Sequence, residues 1–89
     1  MKYVVWGLGV RGKLAVDFLK IDNIAAFIDL DPKFANTIYL GRKVIDFDTY
    51  LKNYQQYMLV ITPKHDNDIM EMVEKAQLIQ VVHLNDILY

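Results

Sequence analysis

The apolar positions of the chain follow two different periods. Nearly continuous apolar runs, typical of strands buried on both faces of a parallel sheet, occupy Tyr3–Trp6, Ile24–Ile28, 57–61 and 79–84, with a briefer run at 43–45. Between them apolar residues recur at helical spacing. Strands that alternate with helices predict an α/β domain with right-handed crossovers. The expected fold is a doubly wound, five-stranded parallel sheet in the order 3-2-1-4-5, with helices on both faces.

Turn and capping residues punctuate this pattern. The first helix is predicted over 10–20, with Leu14, Ala15, Phe18 and Leu19 at helical spacing and Lys13, Asp17 and Lys20 on the other side. Asp31 before Pro32 predicts an N-cap and a first-turn proline, and Asp48 is the predicted cap of a helix over 49–54. Ile69, Met72, Val73 and Ala76 predict an amphipathic helix, and Asn85-Asp86 a cap for one further turn.

Composition and charge narrow the function classes. The 89 residues are 54% hydrophobic, which fits one packed domain, and 10 basic residues face 11 acidic ones. The near-neutral charge predicts no nucleic-acid partner and offers no polybasic patch to a membrane surface. The chain has no cysteine, only two histidines and no apolar run of ~18 residues. We therefore expect a soluble, cytoplasmic protein without a metal site or membrane insertion.

A glycine-rich loop connects the first strand to the first helix. Gly7-x-Gly9-x-x-Gly12 matches the phosphate-binding fingerprint in the strand–loop–helix context that the fingerprint requires. Gly7 permits the turn, Gly9 lets a phosphate approach the backbone, and Gly12 lets the helix pack on the sheet. The helix N-terminus at Val10 and Arg11 offers N–H groups and a positive dipole end to an anion. The alternative is that the glycines only shape a tight turn.

An acidic residue stands where such a loop predicts one. Asp29 lies 20 residues after Gly9, at the end of the second strand, where a carboxylate can accept both ribose hydroxyls of a nucleotide. It would repel a 2′-phosphate, so NAD is favoured over NADP, although Arg11 could neutralise extra phosphate charge. The alternative is that Asp29 only caps the segment beginning at Asp31-Pro32.

The chain resembles a group of Rossmann-like N-terminal nucleotide-binding domains in bacterial proteins of surface-polysaccharide and nucleotide-sugar biosynthesis. The motifs that carry the resemblance are VWGLGVRG (5–12), AFIDLDP (26–32) and GRKVI (41–45). Relatives include sugar acyltransferases and sugar dehydratases. The resemblance implies NAD or a nucleotide sugar as the ligand, with Gly7, Gly9, Gly12 and Asp29 in the site. The chain has neither an acyltransferase hexapeptide repeat nor a Tyr-x-x-x-Lys pair.

Residues after the fourth and fifth strands are weaker candidates. Thr62 and His65 follow a strand end near the switch point of the sheet and could meet the second half of a ligand. His65 beside Asp66 could act as a base. The favoured interpretation is that Asp66 or Asn67 caps the next helix and that His65 is a solvated loop residue. His83 is interpreted as a structural residue of strand five, and Trp6 as core rather than a base-stacking residue.

These features predict a single domain over 1–89, the first domain of a larger protein. Its predicted function is binding of a nucleotide-type small molecule, NAD or a nucleotide sugar, through Gly7, Gly9, Val10, Arg11, Gly12, Asp29 and Thr62. The alternative is a non-catalytic ligand-sensing or scaffolding domain with a vestigial loop. No coherent catalytic group is visible, so any turnover belongs to a parent transferase or NAD-dependent sugar enzyme. A homo-oligomer or further domains are possible partners.

Overall fold

The computed structural model describes residues 1–64, 66–78 and 80–88. Its strands are β1 (Tyr3–Trp6), β2 (Ile24–Ile28), β3 (Ile38–Tyr39), β4 (Arg42–Ile45), β5 (Met58–Ile61) and β6 (Val81–His83). Its α-helices are α1 (Val10–Leu19), α2 (Phe47–Thr49), α3 (Asn67–Lys75) and α4 (Leu84–Leu88), with 3₁₀ turns at Ile21–Asn23 and Pro32–Phe34. Strands and helices alternate as the periodicity predicts, and the fold is a Rossmann-like α/β domain.

The sheet has six strands in the order β3-β4-β2-β1-β5-β6. The predicted count of five strands and the predicted order are therefore wrong, because a two-residue strand is added at one edge. The remaining strands pair in parallel, β4 with β2, β2 with β1, β1 with β5 and β5 with β6. Only β3 is antiparallel, pairing Ile38 with Lys43 and Tyr39 with Arg42.

A two-residue turn explains the added strand. Leu40 and Gly41 both have positive φ angles, 51° and 78°. Two consecutive positive φ angles characterise the hairpin turn whose twist matches that of antiparallel strands. The turn predicted at Gly41-Arg42 is thus present, but it is a hairpin that pairs Ile38–Tyr39 with β4.

Helices cover both faces of the sheet and enclose two apolar clusters. One face, under α1 and α4, buries Val5, Ala15, Leu19, Ile24, Phe27, Val44, Val60 and Leu84. The other, under α2 and α3, buries Val4, Trp6, Ala26, Ile28, Ile45, Phe47, Tyr50, Leu59, Ile61, Ile69 and Val73. Trp6 packs on Phe47 with ring centroids 5.3 Å apart, so it belongs to the core as expected.

The orientation of α1 differs from the simplest interpretation of its spacing. Ala15 and Leu19 are buried, but Leu14 and Phe18 are 42% and 51% exposed. The reason is Gly12, which is buried against the backbone of Gly7 and so defines the face of α1 that touches β1. Leu14 and Phe18 lie to the side of that contact.

The helix after β4 begins two residues earlier than predicted. Asp46, not Asp48, is the N-cap, and its Oδ1 accepts a 2.7 Å hydrogen bond from the N–H of Thr49. The helix α2 continues as a π-helix over Tyr50–Tyr54. This hydrogen bond lowers the pKa of the Asp46 carboxyl below its ordinary value of 3.8.

The lowered pKa makes the Asp46 cap sensitive to acid. A carboxyl whose pKa falls on folding stabilises the folded state above its unfolded pKa, and this stabilisation is lost as pH falls through the folded pKa. The gap in unfolding free energy between the native chain and Asp46→Asn should therefore be widest above about pH 5 and should shrink as pH falls toward and through the lowered pKa of Asp46. Urea denaturation at each pH measures it, and a gap independent of pH would contradict the assignment of the cap.

Two predicted strands and the start of the last helix, which was predicted to be capped by Asn85-Asp86, need smaller corrections. The fourth predicted strand, 57–61, is β5 at Met58–Ile61, and the fifth, 79–84, is β6 at Val81–His83. Ile79 lies outside the described residues, and Leu84 already belongs to α4. Asp31 does cap the turn at Pro32–Phe34, accepting from the N–H of Lys33 at 3.1 Å. None of the helices described is both long and apolar enough to cross a membrane.

Candidate functional site

The carboxyl ends of the parallel strands meet at one edge of the sheet. The segments after β1, β2, β5 and β6 all leave from this edge. In an open α/β sheet this edge is where ligands bind, at the point where neighbouring crossovers go to opposite faces. Here α1 and α3 cover opposite faces, so the switch point lies between β1 and β5.

Two of the three loop glycines are required by the fold itself. Gly7 has φ +120°, and its N–H donates to the carbonyl of Ile28 at 2.8 Å. A Cβ at this position would overlap the Thr62 hydroxyl. A Cβ on Gly12 would overlap the carbonyl of Gly7. Both glycines therefore let the loop and α1 lie close to the sheet.

Gly9 is different because the fold does not require it. It is the N-cap of α1 with φ −77°, a conformation open to any residue, and no atom of the described residues lies within 4 Å of a Cβ built on it. Within this part of the chain, no side chain caps the helix at this end. The absent side chain therefore leaves open space directly at the N-terminus of α1, beside the exposed Val10.

Asp29 lies against the glycine loop, where the sequence predicts an acid. Its Oδ2 accepts a hydrogen bond from the N–H of Leu8 at 3.3 Å, which joins the segment after β2 to the loop after β1. Its Oδ1 accepts from the N–H of Asp31 at 2.9 Å. The carboxylate thus shapes the turn before Pro32 as well, so the structural interpretation of Asp29 is correct in part.

Thr62 links the end of β5 to the end of β1, beside the glycine loop. It is 1% exposed, and its hydroxyl donates to the carbonyl of Trp6 at 2.6 Å while its N–H donates to the same carbonyl at 3.1 Å. These bonds fix the end of β5 against the end of β1, directly beside Gly7. Contact of Thr62 with a ligand stays a prediction.

Arg11 points from the first turn of α1 across to two other elements. Its Nε donates to the carbonyl of Thr62, and its Nη2 donates to Oδ1 of Asn85 in α4. Both acceptors are uncharged. Among the ion pairs formed by the described residues, none involves Arg11. The described contacts of the guanidinium beside the glycine loop therefore include no carboxylate.

A carboxylate–imidazole pair that sequence reasoning missed lies along the same edge. His83 Nε2 is 2.9 Å from Oδ2 of Asp66 and 3.1 Å from the carbonyl of Pro63, and its Nδ1 accepts from the N–H of Asn85 at 3.1 Å. Asp66 precedes α3, yet its side chain does not cap that helix. His65, which the sequence offered as a weaker candidate base, lies outside the described residues.

The hydrogen bonds of His83 define its role. Because Nδ1 accepts an N–H, the neutral ring carries its proton on Nε2, where it faces Asp66. Both ring nitrogens are thus engaged, and the pair joins the loop after β5 to the start of α4. This arrangement agrees with the structural interpretation of His83. The missed signal was that Asp66 follows the carboxyl end of β5 and that His83 is the last residue of the neighbouring parallel strand β6.

A cavity of about 420 Å³ opens in the crevice between the two crossovers. Leu30, from the segment after β2, and Asn67, Asp68 and Ile69, from the first turn of α3, line it. A larger cavity of about 660 Å³ lies beside β4 and the helix after it, between 36–46 and 49–57, and no glycine-loop residue lines it. The smaller cavity adjoins the candidate site through Leu30, which directly follows Asp29, but the glycine loop, Asp29 and Arg11 are not among the described residues that line either cavity.

Comparison with known proteins supports the fold. No protein-family model and no curated protein matches the chain. Among solved structures, the chain is similar to the crystal structure of RSP, a Rex-family repressor, with a TM-score of 0.64 and 15% sequence identity. The match covers 98% of this chain but 55% of that one, so the chain spans about half the length of the repressor.

This similarity corrects one expectation from the sequence. The near-neutral charge predicted that nucleic acid is not a partner, and the finding that the structural neighbour is a repressor overturns that prediction. The physical reason is that the charge of one domain does not determine the partners of a longer protein, whose basic surface can lie on another part of the chain.

Proposed function

We propose that the chain is a nucleotide-binding domain whose glycine loop receives the diphosphate of NAD or of a nucleotide sugar. The observation that carries this proposal is Gly9. The fold explains Gly7 and Gly12, but Gly9 has an ordinary φ and an unobstructed Cβ direction. A glycine that packing does not require, at a helix N-terminus, fits a loop that a phosphate approaches closely.

The electrostatics at the loop favour an anion. The helix α1 has ten residues, and among the described residues it has no acidic side chain in its first turn and no side-chain cap, so its own side chains do not offset the positive end of its dipole. Arg11 adds a cation whose hydrogen-bond acceptors are neutral. A diphosphate lying over Gly9 would meet both.

Asp29 is suited to a ribose diol. An ionised carboxylate offers about four lone-pair directions, and each Asp29 oxygen accepts one N–H in the structure. At least one acceptor position on each oxygen therefore remains for the 2′- and 3′-hydroxyls. A 2′-phosphate would place like charges side by side. NAD and UDP-sugars share the diol and the diphosphate, and both fit this arrangement.

Asp29→Ala should erase most of the preference for NAD over NADP. A charged hydrogen bond contributes roughly 1.5–3 kcal/mol, so the native domain should bind NAD about 10- to 150-fold more tightly. Calorimetric titration of both dinucleotides measures the ratio. The ratio is the informative quantity, because losing the bond to Leu8 also loosens the loop for either ligand.

Asp31→Ala is the matched control. Asp31 is a neighbouring, more exposed carboxylate that caps the turn at Pro32–Phe34. Its removal should leave the NAD to NADP ratio nearly unchanged. Equal affinity of the native domain for NAD and NADP would show that Asp29 only shapes the turn.

A second candidate is the ligand-sensing part of a regulator, which the similarity to a Rex-family repressor favours. In that case the nucleotide would alter an interaction with DNA instead of taking part in a reaction. Fluorescence anisotropy of a labelled duplex, titrated with the chain at low salt with and without NAD, tests this candidate. A sugar-biosynthesis role stays a prediction, which tighter binding of a UDP-sugar than of NAD would support.

A further inference from the structure

Asn85 connects α4 to the glycine loop through one side-chain contact. Its backbone N–H donates to Nδ1 of His83, whose Nε2 meets Asp66 across the loop after β5. Its side-chain Oδ1 accepts a hydrogen bond from Nη2 of Arg11. The backbone of Asn85 is therefore anchored, and its amide group is presented to the guanidinium.

Arg11 is held at two points of its planar fork. Nε reaches the carbonyl of Thr62, which is fixed to β1 through the bonds to Trp6, and Nη2 reaches Asn85. A guanidinium has five N–H donors. Two acceptors at different atoms fix the plane of the group and leave the other donors for a ligand.

The two hydrogen-bond acceptors of Arg11 are neutral, so neither of them compensates its positive charge. A carboxylate at position 85 would hold the guanidinium equally well but would compensate its charge. The next residue, Asp86, is exposed and forms no ion pair with Arg11 among the residues that the structure describes. A neutral amide is thus the type of side chain that orients an arginine for an anion without competing with that anion.

We propose that Asn85 is a positioning residue that pre-orients Arg11 toward a diphosphate on the glycine loop. This inference rests on the proposed nucleotide-binding function and adds α4 to the site. Because the Arg11 side chain is already ordered before the ligand binds, less conformational entropy is lost on binding.

Asn85→Ala should weaken NAD and inorganic pyrophosphate binding about 3- to 10-fold, the size expected for one side chain that must be ordered on binding. Adenosine, which has the ribose diol but no phosphate, should bind the variant and the native chain equally. In an Arg11→Ala background the same substitution should have no further effect. Asn53→Ala, at another exposed asparagine, is the control and should change none of these affinities.

Asn85→Asp separates positioning from a purely structural role. Aspartate keeps the acceptor for Arg11, so thermal stability should be retained, but NAD affinity should fall below that of Asn85→Ala because the carboxylate compensates the guanidinium. Calorimetry and thermal unfolding on the 89-residue chain give both readouts. Recovery of native NAD affinity by Asn85→Asp would overturn the proposal.

The remaining outcomes distinguish the positioning role of Asn85 from the proposed nucleotide-binding function. If NAD binds but Asn85→Ala leaves its affinity unchanged, or weakens it equally in the Arg11→Ala background, Asn85 does not position Arg11 and the nucleotide-binding proposal stands. If neither NAD, pyrophosphate nor adenosine binds the native chain, the proposed function and the role of Asn85 both fall.

Discussion

Gly9→Val is expected to abolish binding of NAD and of nucleotide sugars while the domain stays folded. The Cβ and methyl groups would fill the space at the N-terminus of α1, where no atom of the residues that the structure describes lies within 4 Å of the Cβ position. Phosphate oxygens could then no longer approach the helix N–H groups, and we expect a loss of at least about 100-fold, from one or more charged hydrogen bonds.

The cost of Gly9→Val to folding should be small by comparison. Gly9 has φ −77° and extended ψ, which valine adopts readily, and the weaker N-cap costs about 1 kcal/mol. Circular dichroism should remain near native while calorimetry shows the loss of affinity. Val10→Ala is the control, because it shortens an 87% exposed side chain but keeps the backbone N–H that is expected to face the phosphate, so it should retain both properties. Unchanged nucleotide affinity in Gly9→Val would mean that the loop is structural.

Gly12→Ala should have the opposite profile, a large loss of stability at a position that a phosphate need not touch. The added Cβ would overlap the carbonyl oxygen of Gly7, which is backbone and cannot rotate away. The helix α1 would have to move off β1, disturbing the contacts of Ala15 and Leu19. We expect a loss of about 3 kcal/mol in unfolding free energy, the upper end for an overpacked site.

This loss matters because the domain is small. A chain of this length has roughly 4–13 kcal/mol of stability in total, so Gly12→Ala should lower the urea midpoint markedly. Gly9→Ala is the matched control, since the same added methyl group meets open space there. A Gly12→Ala variant as stable as Gly9→Ala would contradict the close packing of α1 on Gly7.

The sequence predicted the elements that local patterns define. Continuous apolar runs gave β1, β2, β4 and β5, and the glycine spacing located the loop and the start of α1. The strand β3 was missed because two residues carry no periodicity, and its pairing depends on the positive φ angles of Leu40 and Gly41. Exposure of Leu14 and Phe18 was missed because the contact of Gly12 with Gly7 orients α1.

The residues of the candidate site also divide into those that a local motif predicts and those that it does not. Gly7, Gly9, Gly12 and Asp29 belong to one strand–loop–helix–strand unit, whose geometry a short motif specifies. The chain of contacts from Arg11 through Asn85 and His83 to Asp66 joins residues far apart in sequence. It depends on which strands are neighbours and on the turn that begins α4, and no local spacing encodes either one.

The most direct test of nucleotide binding is a titration of the ¹⁵N-labelled chain with NAD, followed by amide chemical shifts. The account predicts saturable shifts centred on Gly9, Val10 and Arg11, together with Asp29, because the diphosphate and the ribose diol would lie there. Saturable shifts confined to the cavity lined by 36–38, 43–46 and 49–57, or no saturable shift at Gly9 and Asp29, would contradict it.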